Sequence, residues 1–192
     1  RSGKTELGAF LATVWLLGKE YFRDTPVWKW VEPLPVPQPP TSVRGVGLTA
    51  DTSRNSVWEK LMGTTEHAPM FPPNEVKKPS EHEMTVEFKC LSKYHTKSAD
   101  AKPKTHGAVS VDLAWLDEEA DFEILRMNEQ RPVSKEGKIL VTAPPYDDVG
   151  TSNHPWIADY IDKWRNVDPD IGVIHLSSIN NPYTSDIEKR RM

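Results

Sequence analysis

Gly3-Lys4-Thr5 lies near the start of the chain, and after Glu6 it is followed by the apolar run Leu7 to Leu17. A glycine lets the backbone approach a phosphate group without a side chain in the way. The lysine neutralises the β- and γ-phosphates of a nucleotide, and the threonine offers its hydroxyl to Mg²⁺. The helix that the apolar run predicts would direct the positive end of its dipole at the same anion. The segment therefore has the residues of the second half of a phosphate-binding loop.

The complete pattern of such a loop is G-x-x-x-x-G-K-[ST], and its first glycine would lie before residue 1. We therefore expect the chain to begin inside the motif and to be N-terminally truncated. Taken alone, these residues also fit a Gly-Lys-Thr that occurs by chance at the start of a helix. Other parts of the sequence are needed to distinguish these two interpretations.

Composition excludes few functional classes. The 192 residues carry a net charge of −4, from 24 basic and 28 acidic side chains, which gives no whole-chain reason to expect nucleic acid but does not exclude a local basic face. The single cysteine, Cys90, cannot form an internal disulfide. The longest apolar run, Leu7 to Gly18, is shorter than the roughly 20 residues that span a bilayer. We expect a cytosolic protein that does not contact a membrane.

The first third of the chain predicts a helix, a connector, a strand and a second helix. Apolar residues at helical spacing predict a helix from Thr5 to about Phe22. Five prolines between Glu32 and Thr41 predict an extended connector, either a stiff loop or a docking peptide for an aromatic groove. Val43 to Thr49 predicts a strand, and Asp51 is placed to cap the helix that follows.

The middle of the chain is more polar. Glu66 to His82 lacks periodicity and predicts a surface excursion, whereas Met84 to Cys90 alternates apolar and polar residues as a half-buried strand does. Lys93 to Lys104 is rich in lysine and predicts a loop. Such a run is usually a solvated loop, and contact with a DNA backbone is the alternative.

The last half of the chain predicts three strands and two helices. The predicted strands are Val109 to Leu116, Lys138 to Ala143 and Ile171 to Leu176. Pro155 is a good first residue for one helix, and Ser185 with Glu188 forms a capping box for the last. Strands separated by helical segments indicate an open α/β sheet.

Two adjacent acids follow a buried strand, and this order has a chemical meaning. Asp117, at the strand tip, can hold a Mg²⁺ ion that bridges phosphates, and Glu118 can orient the attacking water. The alternative is that Asp117 or Asp121 merely caps the next helix. Together with Gly3-Lys4-Thr5 on the same chain, the acids favour a nucleotide hydrolase. Thr142, at the end of the next predicted strand, is in position to sense a γ-phosphate, or marks a plain strand-to-loop junction.

Four segments together resemble the ATPase domain of the large terminase subunit, the motor that packages double-stranded DNA into the heads of tailed phages. The segments are Arg1 to Glu6, Val43 to Leu61, His106 to Glu119 and Gly137 to Pro144. His106 to Glu119 is the most specific of them. The resemblance implies a P-loop NTPase fold, a three-layer α/β sandwich with a mostly parallel central sheet. Residues 1–192 would then be a partial motor domain.

The resemblance also implies roles for individual residues. The implied ATP-binding residues are Arg1, Ser2, Gly3, Lys4, Thr5 and Thr142. Thr5 and Asp117 would hold Mg²⁺, Glu118 would be the catalytic acid, and Thr142 would couple hydrolysis to movement. Arg131 is a candidate arginine finger that stabilises charge in the transition state, with an ordinary surface arginine as the alternative.

The implied function is ATP hydrolysis that drives double-stranded viral DNA into a procapsid. The implied partners are double-stranded DNA, the portal protein, the small terminase subunit and further copies of the chain in a ring on the portal, in the cytoplasm of a bacterial host. The family's nuclease domain has no counterpart before Met192, so we expect no DNA cleavage. Because the loop is incomplete, we expect this chain by itself to bind ATP poorly or not at all.

Two other functions fit the residues less well. One is another nucleic-acid-dependent P-loop ATPase, such as a helicase-like motor, which would separate strands where the packaging motor does not. The other is a non-catalytic module that binds DNA or protein and has a degenerate nucleotide site. Against the second stands the presence of Lys4, Thr5, Asp117 and Glu118 together, since a decayed site would have lost some of them.

Overall fold

The structure is a computed structural model that describes residues 3–101, 110–118, 120–129, 137–143 and 156–174. The chain divides into two compact units. One unit is Thr5–Thr142, and the other combines Arg1–Lys4 with Ala143–Met192.

The first helix, α1, spans Lys4–Leu17 and is buried over most of its C-terminal half. The predicted helix from Thr5 to Phe22 therefore extends five residues too far. Gly18 ends α1 because its φ of 76° lies in the left-handed region that glycine tolerates. A separate 3₁₀ turn, Lys19–Phe22, accounts for the rest of the predicted helix.

A short helix, α2, spans Trp28–Val31, and the proline-rich segment follows it. Residues 35–38 are neither helix nor strand, as the prolines predict. Thr41 fastens the end of this segment to α1, because its hydroxyl donates a hydrogen bond of 2.7 Å to the carbonyl oxygen of Trp15. The connector therefore leads directly into the first strand of the sheet.

Six strands form one sheet in the order β2-β3-β4-β1-β5-β6. They are β1 Ser42–Gly47, β2 Val76–Ser80, β3 Thr85–Phe88, β4 Lys93–Ser98, β5 Leu113–Asp117 and β6 Lys138–Thr142. The pairs β4·β1, β1·β5 and β5·β6 are parallel, and the pairs β2·β3 and β3·β4 are antiparallel. The prediction of a mostly parallel α/β sheet is confirmed.

The structure corrects two assignments in the middle of the chain. Lys93 to Lys104 was predicted as a loop, but its first six residues are strand β4, and only Lys102 and Lys104 of its lysines lie outside the described residues. The predicted excursion Glu66 to His82 contains strand β2 at the edge of the sheet. Neither strand shows an alternating hydrophobic pattern, because lysines occupy outward positions in both. Pro79 is tolerated in β2 because edge strands accept proline.

The helix after β1 begins two residues earlier than predicted. Thr49 caps it rather than Asp51, through a reciprocal capping box in which Thr49 and Thr52 bond each other's backbone N–H groups. The helix continues as α3 Ala50–Thr52, a π-helical stretch Ser53–Trp58 and α4 Glu59–Met62. Asp51 lies inside the first turn, where its charge still favours the helix dipole.

Helices cover both faces of the sheet in the unit Thr5–Thr142. On one face α1 packs so closely on β5 that a Cβ at Gly8 would overlap the indole of Trp115. The helix α5, Phe122–Glu129, covers the opposite face, where Arg44 of β1 donates a hydrogen bond of 3.2 Å to Asn128. Arg44 pairs with Ala114, the neighbour of Trp115 along the strand, so the two helices lie on opposite sides. These layers form a three-layer sandwich.

Strand β5 starts later than the sequence predicts. The predicted strand ran from Val109 to Leu116, whereas residues 110–112 are not in a strand and Val109 lies outside the described residues. Strand β6 agrees with the prediction to within one residue.

In the second unit, α6 spans Trp156–Arg165, close to the helix predicted from Pro155. The strand predicted from Ile171 to Leu176 is wrong where it can be compared, because residues 171–174 have no regular structure. The capping box of Ser185 and Glu188 lies outside the described residues. Within the described ranges, none of the helices has the length and apolar character needed to cross a bilayer.

Candidate active site

The site begins with two residues at the ends of neighbouring strands. Asp117 is the last residue of β5, Thr142 is the last residue of β6, and the parallel register places them directly opposite each other. Both side chains are buried. The carboxyl ends of parallel strands in an α/β sheet are where such folds bind ligands.

The hydroxyl of Thr142 has a defined direction. Its Oγ1 accepts a hydrogen bond of 2.9 Å from Nε1 of Trp115, and an indole nitrogen can only donate. The hydroxyl hydrogen is therefore left for an acceptor, and Oδ1 of Asp117 lies 2.7 Å away, against 3.4 Å for the carbonyl oxygen of Leu116. Thr142 thus donates to the carboxylate.

Thr5, which lies near the start of the chain, contacts the same carboxylate. Its Oγ1 lies 3.1 Å from both Oδ1 and Oδ2 of Asp117, although 112 residues separate the two along the chain. Thr5 lies in the first turn of α1, so the packing of α1 on β5 places its hydroxyl at the strand tip. Because the hydroxyl gives its hydrogen to Asp117, its lone pairs stay available to a cation.

Burial dominates the electrostatics of Asp117. Loss of solvent raises the pKa of the Asp117 carboxyl above its ordinary value, and the hydroxyl donors Thr142 and Thr5 oppose the rise without cancelling it. The negative charges of Glu118 and Glu6 add to it. A divalent cation beside Asp117 would reverse this balance, because it stabilises the ionised carboxylate.

Glu118 follows Asp117 and differs from it in exposure. Its side chain is exposed, and its φ of 73° is unusual for a residue other than glycine. Its backbone N–H donates a hydrogen bond of 2.8 Å to the carbonyl oxygen of Thr142. The carboxylate therefore stands at the exposed end of the sheet while its backbone is tied to β6.

The donor set of this cluster fits a magnesium ion. Mg²⁺ prefers oxygen ligands, takes one or two from the protein and keeps water or phosphate oxygens as the others. Thr5 and Asp117 supply one hydroxyl and one carboxylate, both oxygen donors. Across the described residues no cluster of three or more His, Cys, Asp or Glu side chains is placed to hold a metal.

The other predicted site residues lie outside this cluster or outside the described part of the chain. Gly3 has a φ of 76°, which a glycine adopts without strain. Lys4 is the first residue of α1 and directly precedes Thr5. Arg1, Ser2 and Arg131 are outside the described residues, and their predicted roles stay predictions.

Sequence reasoning missed two residues that build the site. Trp115 lies within the predicted strand Val109 to Leu116 and was given no role in the site, yet its indole N–H orients Thr142. Gly8 was passed over inside the helix, yet it allows α1 to approach that indole. A glycine inside an otherwise apolar helix was the available signal, since glycine costs helix stability unless close packing requires it.

Comparison with known proteins supports the fold. The structure matches the crystal structure of the HK97 bacteriophage large terminase with a TM-score of 0.62 and 19% sequence identity, over 100% of this chain and 36% of that one. It matches the large terminase of the thermophilic bacteriophage D6E with a TM-score of 0.57 and 14% identity, over 79% of this chain and 36% of that one. The chain thus spans about a third of the length of each terminase.

Sequence comparisons add nothing to this. No protein-family model matches the chain, and a search of curated proteins found no significant match. At these identities the likeness is one of fold.

Proposed function

We propose that this chain is the ATP-hydrolysing motor domain of a large terminase subunit, and that hydrolysis drives duplex viral DNA into a procapsid. The observation that carries the proposal is the convergence of Thr5 and Thr142 on the buried carboxylate of Asp117. Residues from a Gly-Lys-Thr helix start and from two adjacent strand tips meet there. The terminase fold is consistent with this interpretation.

In this proposal, Arg1 to Thr5 bind the phosphates of ATP, and Thr5 with Asp117 holds Mg²⁺. When bound, Mg²⁺ would neutralise the charge that develops on the transferred phosphoryl group. Thr5 offers a lone pair to the cation while it donates its hydrogen to Asp117. Glu118, exposed at the same edge, orients the attacking water and accepts its proton.

Thr142 couples hydrolysis to movement through two bonds. Its hydroxyl donates to Asp117, and its carbonyl oxygen accepts the backbone N–H of Glu118. A change in the charge around Asp117 therefore acts on the end of β6, and a shift of β6 acts on Glu118.

The proposed packaging role also implies partners for the chain and a role for Arg131. The chain works as a ring of copies on the portal protein, with the small terminase subunit and double-stranded DNA, in the cytoplasm of a bacterial host. Arg131 acts on the transferred phosphate as an arginine finger. A helicase-like ATPase remains the alternative enzyme, and duplex translocation without strand separation distinguishes the two.

The test is phosphate release from ATP. Because residues 1–5 match the second half of the loop pattern, the assay uses a protein that carries the complete pattern G-x-x-x-x-G-K-T in front of α1. We expect Mg²⁺-dependent hydrolysis, which Glu118→Gln abolishes while nucleotide binding persists. Lys4→Ala should weaken binding itself. No hydrolysis with duplex DNA present, or full activity of Glu118→Gln, would overturn the proposal.

A further inference from the structure

The strand that the sequence predicted as a loop carries two lysines and a histidine on its outward positions. Lys93, His95 and Lys97 alternate along β4 with the buried residues Tyr94 and Thr96. The three therefore point to the face of the sheet opposite α1, and neighbours among them lie about 7 Å apart. They are the first part of what we call the cationic face.

The neighbouring strands extend this face. Lys93 lies opposite Glu87 of β3, and Glu87 lies opposite Lys78 of β2, so the three share one row across the sheet. Lys77, at the edge, pairs with Glu87 at 2.8 Å. The cationic face is then Lys77, Lys78, Lys93, His95 and Lys97.

The pKa of Glu87 reflects the positive charges around it. Lys77 lowers its pKa most, through a hydrogen bond and its charge, and Lys93 and Lys78 lower it further. The pKa of His95 is lowered by its burial and then by the charges of Arg44, Lys97 and Lys93, although Glu83 opposes the shift. Cations therefore outnumber carboxylates here, in a chain whose net charge is −4.

Three lysines of this face are available to a ligand. Among the described residues, the side-chain ammonium groups of Lys78, Lys93 and Lys97 make no hydrogen bond and no ion pair within 4.0 Å. Lys78 and Lys93 are exposed, and Lys97 is half-buried. The helix α5 covers β5 and reaches β1 through Arg44, and the π-helical stretch Ser53–Trp58 meets Lys97 at its backbone, where Ser53 Oγ donates a hydrogen bond of 3.0 Å to the Lys97 carbonyl oxygen.

We propose that the cationic face binds the phosphate backbone of duplex DNA. The inference rests on the proposed function for its partner, and it names the surface that meets that partner. Lysines act as flexible point charges, which suits an evenly charged backbone. Contacts of lysines with phosphates position a duplex without reading its bases, so we infer contact here that is independent of sequence.

A motor that moves along any DNA needs contact of that kind. Phosphate contacts position a duplex without reading it, and each one adds about −0.9 to the slope of log affinity against log salt concentration. Lys93 and Lys97 together would therefore contribute a slope of about −1.8. That value gives the experiment a quantitative target.

The test measures affinity of the chain for labelled duplex DNA of mixed sequence, over a range of salt and without nucleotide. We expect the double variant Lys93→Gln/Lys97→Gln to bind at least about tenfold more weakly near 0.1 M salt and to lose a slope of about 1.8. The matched control is Lys19→Gln/Lys29→Gln, which changes the net charge equally on the segment after α1. It should keep both affinity and slope. Unchanged thermal unfolding of both variants will show that the fold is intact.

Several results would overturn the inference. They are no binding of DNA by the wild-type chain, equal weakening in both double variants, or wild-type binding by Lys93→Gln/Lys97→Gln. Binding of poly-glutamate at this face in place of DNA would reassign it to an acidic protein segment. Because the assay contains no nucleotide, failure of ATP hydrolysis alone would leave this inference standing and refute only the proposed function.

Discussion

Nε1 of Trp115 donates a hydrogen bond of 2.9 Å to Oγ1 of Thr142, and this contact determines where the threonine hydrogen points. Since the indole nitrogen cannot accept, Thr142 must donate elsewhere, and Oδ1 of Asp117 is its nearest acceptor. The buried side chain of Trp115 thus fixes the orientation of the Thr142 hydroxyl in the polar cluster. The side chain also contacts α1 at Gly8, so one residue links the helix to both strand tips.

A double-mutant cycle tests this link. Trp115→Phe removes the N–H and keeps an aromatic ring, whereas Thr142→Val removes the hydroxyl and keeps the shape. Each should lower the free energy of unfolding by about 1–3 kcal/mol, through the lost bond and an unpaired partner. Because both lose the same bond, the double variant should cost about 0.5–1.5 kcal/mol less than the sum. Strict additivity in urea unfolding would contradict the link.

Gly8→Ala tests the close approach of α1 to β5. The new Cβ would overlap the rigid indole of Trp115, and overpacking costs about 1–3 kcal/mol, which exceeds or cancels the gain of about 1 kcal/mol in helix propensity. We expect a less stable protein in which hydrolysis also falls, since Thr5 shifts with the helix. The control is Gly172→Ala, where a Cβ would meet open space. Greater stability of Gly8→Ala would show that the helix does not pack there.

Glu118→Gly separates backbone strain from function. Glu118 has a φ of 73°, and a left-handed conformation costs a residue with a side chain about 1–2 kcal/mol. We expect the variant to be more stable by about 1 kcal/mol and unable to hydrolyse ATP. Leu91→Gly is the control, because Leu91 has a φ of 67° and is exposed. Leu91→Gly should gain stability and keep activity. A loss of stability in both glycine variants would show that the two backbone conformations are not strained.

The raised pKa of Asp117 predicts a pH dependence of stability. The native state holds the Asp117 proton more tightly than the unfolded chain does, so stability falls as pH rises from the ordinary pKa of 3.8 through the native pKa. Asp117→Asn should remove that fall, because asparagine does not titrate. At neutral pH the variant should be the more stable protein. Unfolding midpoints of both proteins across this pH range check the prediction, and parallel curves would contradict it.

The sequence predicted the α/β class and the positions of Asp117 and Thr142 at strand tips, because apolar alternation and abrupt strand ends are local signals. It did not predict β4. The inward residues Tyr94 and Thr96 carry hydroxyls and the outward residues are two lysines and a histidine, so the strand lacks a hydrophobic pattern. Pairing with β1 and β3 on both sides makes it a strand, and pairing is a property of the whole sheet.

The residues of the candidate site were marked in the sequence, but their arrangement was not. Thr5, Asp117 and Thr142 were each marked by residue type and by position at the end of an element. Their contacts depend on packing between segments up to 112 residues apart, which no local pattern encodes. The direction of the Thr142 hydroxyl depends on one indole nitrogen, and that became visible only with the side chains in place.

The central claim is that Asp117 holds the Mg²⁺ of a hydrolytic site, and one comparison tests it most directly. Asp117 and Asp112 are both buried at opposite ends of β5, and Asp112 accepts the backbone N–H of Ser42 at 2.6 Å. In the protein with a complete phosphate-binding loop, Asp117→Asn should reduce Mg²⁺-dependent ATP hydrolysis by about 100-fold or more. Asp112→Asn keeps an acceptor oxygen for Ser42 and should keep activity. Equal activity of the two variants would contradict the account.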